Sequence, residues 1–142
     1  MMSKTFEMIE IGDSASTSRT VTETDIVMYA GLTADFNPMH MDEEYARQTP
    51  FGGRIAHGTI TLGLIAPVIG MQLPGKGCVL LGISGSFHKP VKIGDTIRAS
   101  ARVAEKDEKR KFIKLELLYT NQHRETVAMG EALVKPTPRV LE

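Results

Sequence analysis

The chain has no tryptophan, one cysteine and no excess of charge of either sign. Because Cys78 stands alone, neither an internal disulfide nor a zinc site built from several cysteines can form. We interpret Cys78 as a small apolar strand residue. The 17 Lys and Arg residues balance 17 Asp and Glu residues, so the chain lacks the basic field of a broad nucleic-acid surface. With aromatic residues at 6%, stacking on nucleic-acid bases is also disfavoured.

Long apolar runs are absent as well. No segment approaches the roughly 20 apolar residues that a membrane-spanning helix requires, and the first residues lack the apolar core of a signal peptide. Together with the low cysteine content, this predicts a cytoplasmic protein that does not enter a membrane. A length of 142 residues with 42% hydrophobic side chains suits one domain, which we predict to span residues 1–142.

Three helices are predicted in the first half of the chain. Thr22 offers N-cap chemistry for a helix over about 24–34, and residues 42–47 are typical of a short exposed helix. Residues 59–70 are apolar almost all round, which predicts a helix enclosed on every side. Pro67 lies inside this segment and predicts a kink or an early end, because proline cannot donate a backbone hydrogen bond.

The second half of the chain has the two-residue periodicity of strands. A weak alternation over 17–22 is followed, after the helices, by four apolar alternations centred on Val79 to Phe87, Ile97 to Val103, Ile113 to Tyr119 and Val127 to Leu133. Consecutive strands with short connections indicate an antiparallel meander. We therefore predict an α+β protein of the hot-dog type, a curved antiparallel β-sheet wrapped around a buried central helix.

The stretch Asp35-Phe-Asn-Pro-Met-His40 holds the strongest chemical signal. Asn37 and Pro38 favour a tight turn, which can bring the Asp35 carboxylate and the His40 imidazole together. Two such groups that share one water form a general acid/base pair. Each residue alone has a structural alternative, Asp35 as a cap and His40 as a loop histidine.

A second stretch, His57-Gly58, begins the apolar segment. The first N–H groups of a helix lack intrahelical acceptors, so the Gly58 N–H is a candidate donor to an oxyanion. Glycine also allows close approach, since it has no Cβ. For His57 we favour a structural role, bonded to nearby backbone, over a catalytic one.

The region from Tyr29 to Ala46 resembles the MaoC-like hydratases, also called (R)-specific enoyl-CoA hydratases, through the Asp-x-Asn-Pro-x-His core. The resemblance covers most of the chain, through Ile55-Ala56-His57-Gly58, Gln72-Leu73-Pro74-Gly75-Lys76-Gly77, Phe87-His88-Lys89-Pro90-Val91, Gly94-Asp95 and Gly130-Glu131-Ala132. It implies a hot-dog fold, a homodimer and an acyl-CoA thioester as substrate. Two departures are Ala34, where the family often has glycine, and Ala66, where some members have a serine.

The resemblance also implies roles for individual residues. Asp35 and His40 match the catalytic pair, Asn37 matches a supporting residue and the Gly58 N–H matches the donor to the thioester oxygen. Ile55, His57, Lys76 and Lys89 are predicted to bind substrate, with Arg54 and Lys92 as further candidates for the coenzyme A phosphates. We expect no metal, because the remaining histidines lack ligand spacing, and no cofactor, because coenzyme A is part of the substrate.

The predicted function is that of a hydro-lyase, the reversible addition of water to trans-2-enoyl thioesters to give the (R)-3-hydroxyacyl product. The acyl carrier is coenzyme A or an acyl-carrier protein. The alternatives are a hot-dog acyl-CoA thioesterase and a non-catalytic acyl-thioester-binding module. The intact Asp35 and His40 pair argues against the module, and the Asn-Pro turn that joins the pair argues against the thioesterase.

Overall fold

The computed structural model describes residues 3–140. Five strands form one antiparallel sheet in the order β1-β3-β4-β5-β2, with β1 at Ser14–Thr20, β2 at Val79–Phe87, β3 at Thr96–Asp107, β4 at Phe112–Thr120 and β5 at Thr126–Lys135. A short 3₁₀ turn, Phe6–Met8, precedes β1. The α+β hot-dog prediction is confirmed, while the predicted domain ends, residues 1, 2, 141 and 142, lie outside the described residues.

The predicted meander is right for β3, β4 and β5 and wrong for β2. Strand β2 pairs with β5 at one edge of the sheet, while β3 lies beside β1 near the other edge. The connection over 88–95 therefore crosses the sheet instead of forming a hairpin. Backbone hydrogen bonds hold it on both sides, from Ala56 N–H to Val91 O at 2.7 Å and from Val21 N–H to Asp95 O at 2.8 Å.

Alternation assigned the buried faces of β3 and β4 correctly. The predicted apolar residues Ile97 to Val103 and Ile113 to Tyr119 are buried on one face of the sheet. In β5 the predicted face is right at Val127 and wrong beyond it, because Met129 and Leu133 are exposed whereas Ala128, Ala132 and Val134 are buried. A register shift at Tyr119/Thr120, where β5 begins its pairing with β4, accompanies this change of face.

Helix α1, Glu23–Thr33, begins with the predicted cap. The Thr22 side chain accepts from Asp25 N–H at 3.2 Å, and the Asp25 carboxylate accepts from Thr22 N–H at 2.9 Å. Burial opposes the charge on Asp25, but these bonds and Arg19 outweigh it and lower the pKa of Asp25. Two short helices follow, α2 at Pro38–Met41 and α3 at Glu43–Arg47, the second of which is the predicted short helix.

The central apolar segment forms two short helices, α4 at Gly58–Gly63 and α5 at Ala66–Met71. Pro67 in the first turn of α5 cannot donate to the preceding turn, which explains the break. The expectation of enclosure on every side was wrong for the single chain. Ile60, Ile65, Val68 and Ile69 are buried against the sheet, but the opposite face is exposed at Thr59, Gly63, Ala66, Pro67, Gly70 and Met71.

Within residues 3–140, no helix is both long and apolar enough to cross a membrane.

Candidate active site

The segment between α1 and α2 turns sharply at Ala34 to expose the Asp35 side chain. Ala34 has φ 64°, the left-handed conformation that glycine adopts more easily, which explains why glycine is common at this position of the signature. The Asn37 side chain caps α2 by accepting from Met39 N–H at 3.1 Å. The Asp35 carboxylate accepts from Asn37 N–H at 3.1 Å, so the turn itself orients the carboxylate.

His40 is on α2, one turn after its cap, and its side chain is 7% exposed. Its Nδ1 lies 2.7 Å from the carbonyl oxygen of Ile55. Because a carbonyl only accepts, Nδ1 carries the proton, and the Nε2 lone pair remains available as a base. This bond fixes the ring and its tautomer at the same time.

His57 is bonded to backbone, as predicted, and it also lies against Asp35 and His40. Its Nε2–H donates to the carbonyl oxygen of Asp35 at 3.0 Å, and its ring stacks on that of His40 with 3.9 Å between centroids. One carboxylate oxygen of Asp35, one ring nitrogen of His40 and one ring nitrogen of His57 lie within 4.8 Å of one another. The structure therefore brings the predicted pair together and adds a third side chain.

Such a cluster raises the question of a metal ion. Ligands of a bound transition metal must converge on one point at about 2.0–2.2 Å for histidine nitrogen and carboxylate oxygen. Here the two imidazole planes are within 27° of parallel, and one nitrogen of each ring is bonded to a backbone carbonyl. The arrangement therefore suits proton transfer at Asp35 and His40 better than shared coordination.

Arg54 contacts the end of the turn that carries Asp35 and His40. Its Nε–H donates to the carbonyl oxygen of His40 at 2.7 Å, and its guanidinium pairs with Glu23 at 2.7 Å. Sequence reasoning had treated Arg54 as a candidate for phosphate binding. The structure shows instead a side chain that is 10% exposed and ties α2 to the start of α1. No spacing rule could show this, since the ion pair joins residues 31 positions apart.

Gly58 begins α4 and opens onto a cavity of about 310 Å³. The walls are mostly apolar and include Ile55, Phe87, Val91 and Val127. A Cβ on Gly58 would lie 3.0 Å from two atoms of the Phe87 ring, so this glycine is closely covered. The first N–H groups of α4 therefore lie beside a cavity that could hold a small chemical group of a ligand.

The predicted substrate-binding residues are divided between two regions. Ile55 and Lys89 line the cavity beside Gly58, and the Lys89 ammonium forms a short ion pair with Glu125. His57 lies behind Asp35 and His40, 2% exposed. Lys76 is exposed in the turn before β2, and Lys92 donates to the carbonyl oxygen of Phe51 at 2.9 Å. The structure brings Ile55, His57 and Lys89 to the neighbourhood of Gly58 and leaves Lys76 on the turn.

A curved antiparallel sheet over a central helix, with an aspartate and a histidine held together beside that helix, defines a hot-dog protein of the hydratase and dehydratase type. The model of the MaoC like domain matches residues 8–124, and the chain belongs to the MaoC-like family.

Individual relatives agree with this assignment. The chain is similar to the (R)-specific enoyl-CoA hydratase of Rhodospirillum rubrum, with 42% identity over 129 residues that cover 91% of this chain and 89% of the relative. It is 41% identical to the 3-hydroxybutyryl-CoA dehydratase of Methylorubrum extorquens over 92% of this chain and 82% of that protein. Among solved structures, the R-hydratase PhaJ1 from Pseudomonas aeruginosa superposes with a TM-score of 0.92 at 33% identity, covering 99% of this chain and 90% of PhaJ1.

Proposed function

We propose that the protein is an (R)-specific enoyl-CoA hydratase that adds water reversibly to trans-2-enoyl thioesters. The observation that carries this proposal is the proximity of the Asp35 and His40 side chains. The bond from His40 Nδ1–H to Ile55 leaves His40 Nε2 free to accept a proton. The relatives that share about 40% of their residues with this chain carry hydratase and dehydratase names, which supports the same activity.

In the forward direction one water lies between the Asp35 carboxylate and the His40 Nε2. As its oxygen bonds to C3 of the substrate, the pair takes one proton from the water and delivers one proton to C2, so that the C2=C3 double bond becomes single and the pair ends as it began. The reverse sequence eliminates water from the 3-hydroxyacyl thioester. Asn37 supports the chemistry by fixing the turn that carries both groups.

The negative charge that develops on the thioester oxygen needs a donor. We assign this role to the Gly58 N–H, at the start of α4 and on the wall of the cavity. A donor aimed at a developing oxyanion is worth about 2.7–4 kcal/mol in comparable enzymes. Ile55 and Lys89 line the same cavity, and we assign Lys89 to binding the phosphates of the acyl carrier. The scheme uses no cofactor, because coenzyme A is part of the substrate.

We also propose that the protein works as a homodimer in the cytoplasm. Strand β2 lies at an edge of the sheet and exposes a row of apolar side chains, among them Val79, Leu81, Ile83 and Phe87. The exposed face of α4 and α5 continues the apolar surface. Unpaired apolar edges of this kind are normally covered, and a second copy covers this one.

The test is a spectrophotometric assay of crotonyl-CoA hydration that follows loss of the conjugated thioester band. We expect Asp35→Asn and His40→Gln each to lower kcat by at least about 10²-fold, the lower end of acid–base contributions. The double variant should be little worse than either single one, because both groups act on one water. His123→Gln, in the exposed turn between β4 and β5, is the control and should retain full turnover. A folded single variant with near wild-type kcat would refute the assignment of the pair.

A further inference from the structure

His57 contacts both members of the proposed pair and belongs to neither proton step. Its Nε2–H donates to the backbone carbonyl of Asp35 at 3.0 Å, and the Asp35 carboxylate is 4.0 Å from the same nitrogen. Since a carbonyl only accepts, His57 carries its proton on Nε2. The contact restrains the backbone from which the Asp35 carboxylate projects.

The His57 ring also supports His40. The two centroids are 3.9 Å apart, and the Tyr29 ring lies 4.9 Å from His57. The edge of the His40 ring is meanwhile bonded to the carbonyl oxygen of Ile55. Residues 55–57 thus hold His40 in two directions, by a hydrogen bond at its edge and by stacking on its face, and hold Asp35 by a third contact.

Packing alone does not account for a histidine here. Its Nδ1 is buried and has no hydrogen-bond partner among residues 3–140. A buried polar atom without a partner destabilises a fold, so an apolar ring of the same shape would fill this space at lower cost. The polar contribution of His57 to the structure is its bond to Asp35, which points to a role in the site.

We propose that His57 is a positioning residue, which aligns Asp35 through its backbone carbonyl and His40 through ring stacking. The role rests on the proposed hydratase function. It makes a prediction about tautomers that does not depend on any substrate: the two stacked histidines carry their protons on opposite nitrogens, His57 on Nε2 and His40 on Nδ1.

Histidine-labelled protein measured by ¹⁵N NMR at mildly alkaline pH, where neutral imidazole dominates, tests the tautomers directly. The assignment comes from loss of each signal set in His57→Gln and His40→Gln. We expect the Nε2–H form for His57 and the Nδ1–H form for His40. Protonation of His57 on Nδ1 would overturn the proposal, because the bond to Asp35 would then not exist.

Two variants separate the contacts in the hydration assay. His57→Phe keeps a ring against His40 and loses the donor to Asp35, while His57→Gln keeps an N–H donor and loses the ring. We expect kcat to fall by about 10-fold to 10²-fold in His57→Phe, as small misplacements of reacting groups do, with KM nearly unchanged. His57→Gln should recover part of this loss, and His123→Phe is the matched control.

The melting temperature of each variant distinguishes positioning from simple support of the fold. In His57→Phe the loss of the bond to Asp35 is offset by removal of the buried, unpartnered Nδ1, so this variant should be about as stable as the wild type. A lower kcat in that variant then reflects the site. Full kcat in a folded His57→Phe would refute the positioning role while wild-type hydration still stands. An inactive wild type would refute the proposed function and, with it, this role in catalysis.

Discussion

Backbone groups orient both members of the proposed catalytic pair. The Asp35 carboxylate is oriented by the N–H of Asn37, and the His40 ring by the carbonyl of Ile55. Backbone contacts of this kind depend on the course of the chain more than on the identity of neighbouring side chains. The Asn-Pro turn sets that course locally, which is why the sequence could predict that the Asp35 and His40 side chains lie together.

Gly58 offers a sharp prediction at the same scale. It is not among the glycines with positive φ, so a side chain here causes no backbone strain. The three atoms nearest to its Cβ would belong to the half-exposed Phe87 ring, at 3.0–3.3 Å. Gly58→Ala should therefore shift the melting temperature by only a few degrees. The N–H at position 58 would remain, but the added Cβ would push the thioester oxygen away from it, so we expect kcat/KM to fall by about 10²-fold or more, as much as when an oxyanion donor is removed.

The control for Gly58→Ala is Gly31→Ala on α1, where a Cβ meets no atom within 4 Å. Both variants are measured for melting temperature and for kcat/KM on the same preparation. If folded Gly58→Ala hydrates crotonyl-CoA as well as Gly31→Ala does, the Gly58 N–H is not the donor.

The roles of His57 and Arg54 show where sequence reasoning ends for single residues. His57 bonds to the Asp35 carbonyl, 22 positions earlier, and Arg54 to the His40 carbonyl, 14 positions earlier. Local spacing carries no information on which backbone carbonyl a distant side chain reaches. A bond from His57 to nearby backbone was predicted, but its acceptor and its stacking on His40 required the fold.

Among the elements, the broken central helix is tied to the sheet by one buried hydroxyl. The Tyr119 O–H on β4 donates to the carbonyl oxygen of Leu62 at 2.9 Å, close to where α4 ends. The break was predicted from Pro67, but its partner on the sheet was not. Similarly, alternation indicated four strands correctly, but the predicted meander placed β2 beside β3, and only the structure shows that β2 pairs with β5.

Tyr119→Phe is predicted to change the dependence of stability on pH. Burial raises the pKa of Tyr119 in the folded protein, whereas the unfolded chain releases this proton near its ordinary value of about 10. The stability that the neutral hydroxyl contributes is therefore present below about pH 10 and is lost above it, by about 1.4 kcal/mol per pH unit.

At neutral pH the Phe variant should be less stable by about 1 kcal/mol, because the Leu62 carbonyl loses its donor. Above about pH 10 it lacks this titration, so the difference should shrink and then reverse. Urea unfolding of both proteins on either side of this pH measures the difference and cancels the titration of other groups. A difference that stays constant with pH would show that Tyr119 ionises equally in both states.

At the scale of the whole molecule, the proposed homodimer predicts a particular mass in solution. We expect a particle of twice 15.6 kDa by light scattering at micromolar concentration. Ile83→Lys places a charge on the exposed edge strand β2 and should shift the mass toward the monomer. Leu118→Lys, on an exposed part of β4 within the sheet, is the matched control and should remain dimeric. A monomeric wild type with full activity would contradict the homodimer.

The measurement that tests the account most directly is the stereochemistry of crotonyl-CoA hydration, with free thiol followed in the same reaction. An Asp35 and His40 pair acting on one water within this family predicts (R)-3-hydroxybutyryl-CoA, with no thiol released. A predominantly (S) product would contradict the assigned geometry, and release of thiol without hydration would identify a thioesterase instead.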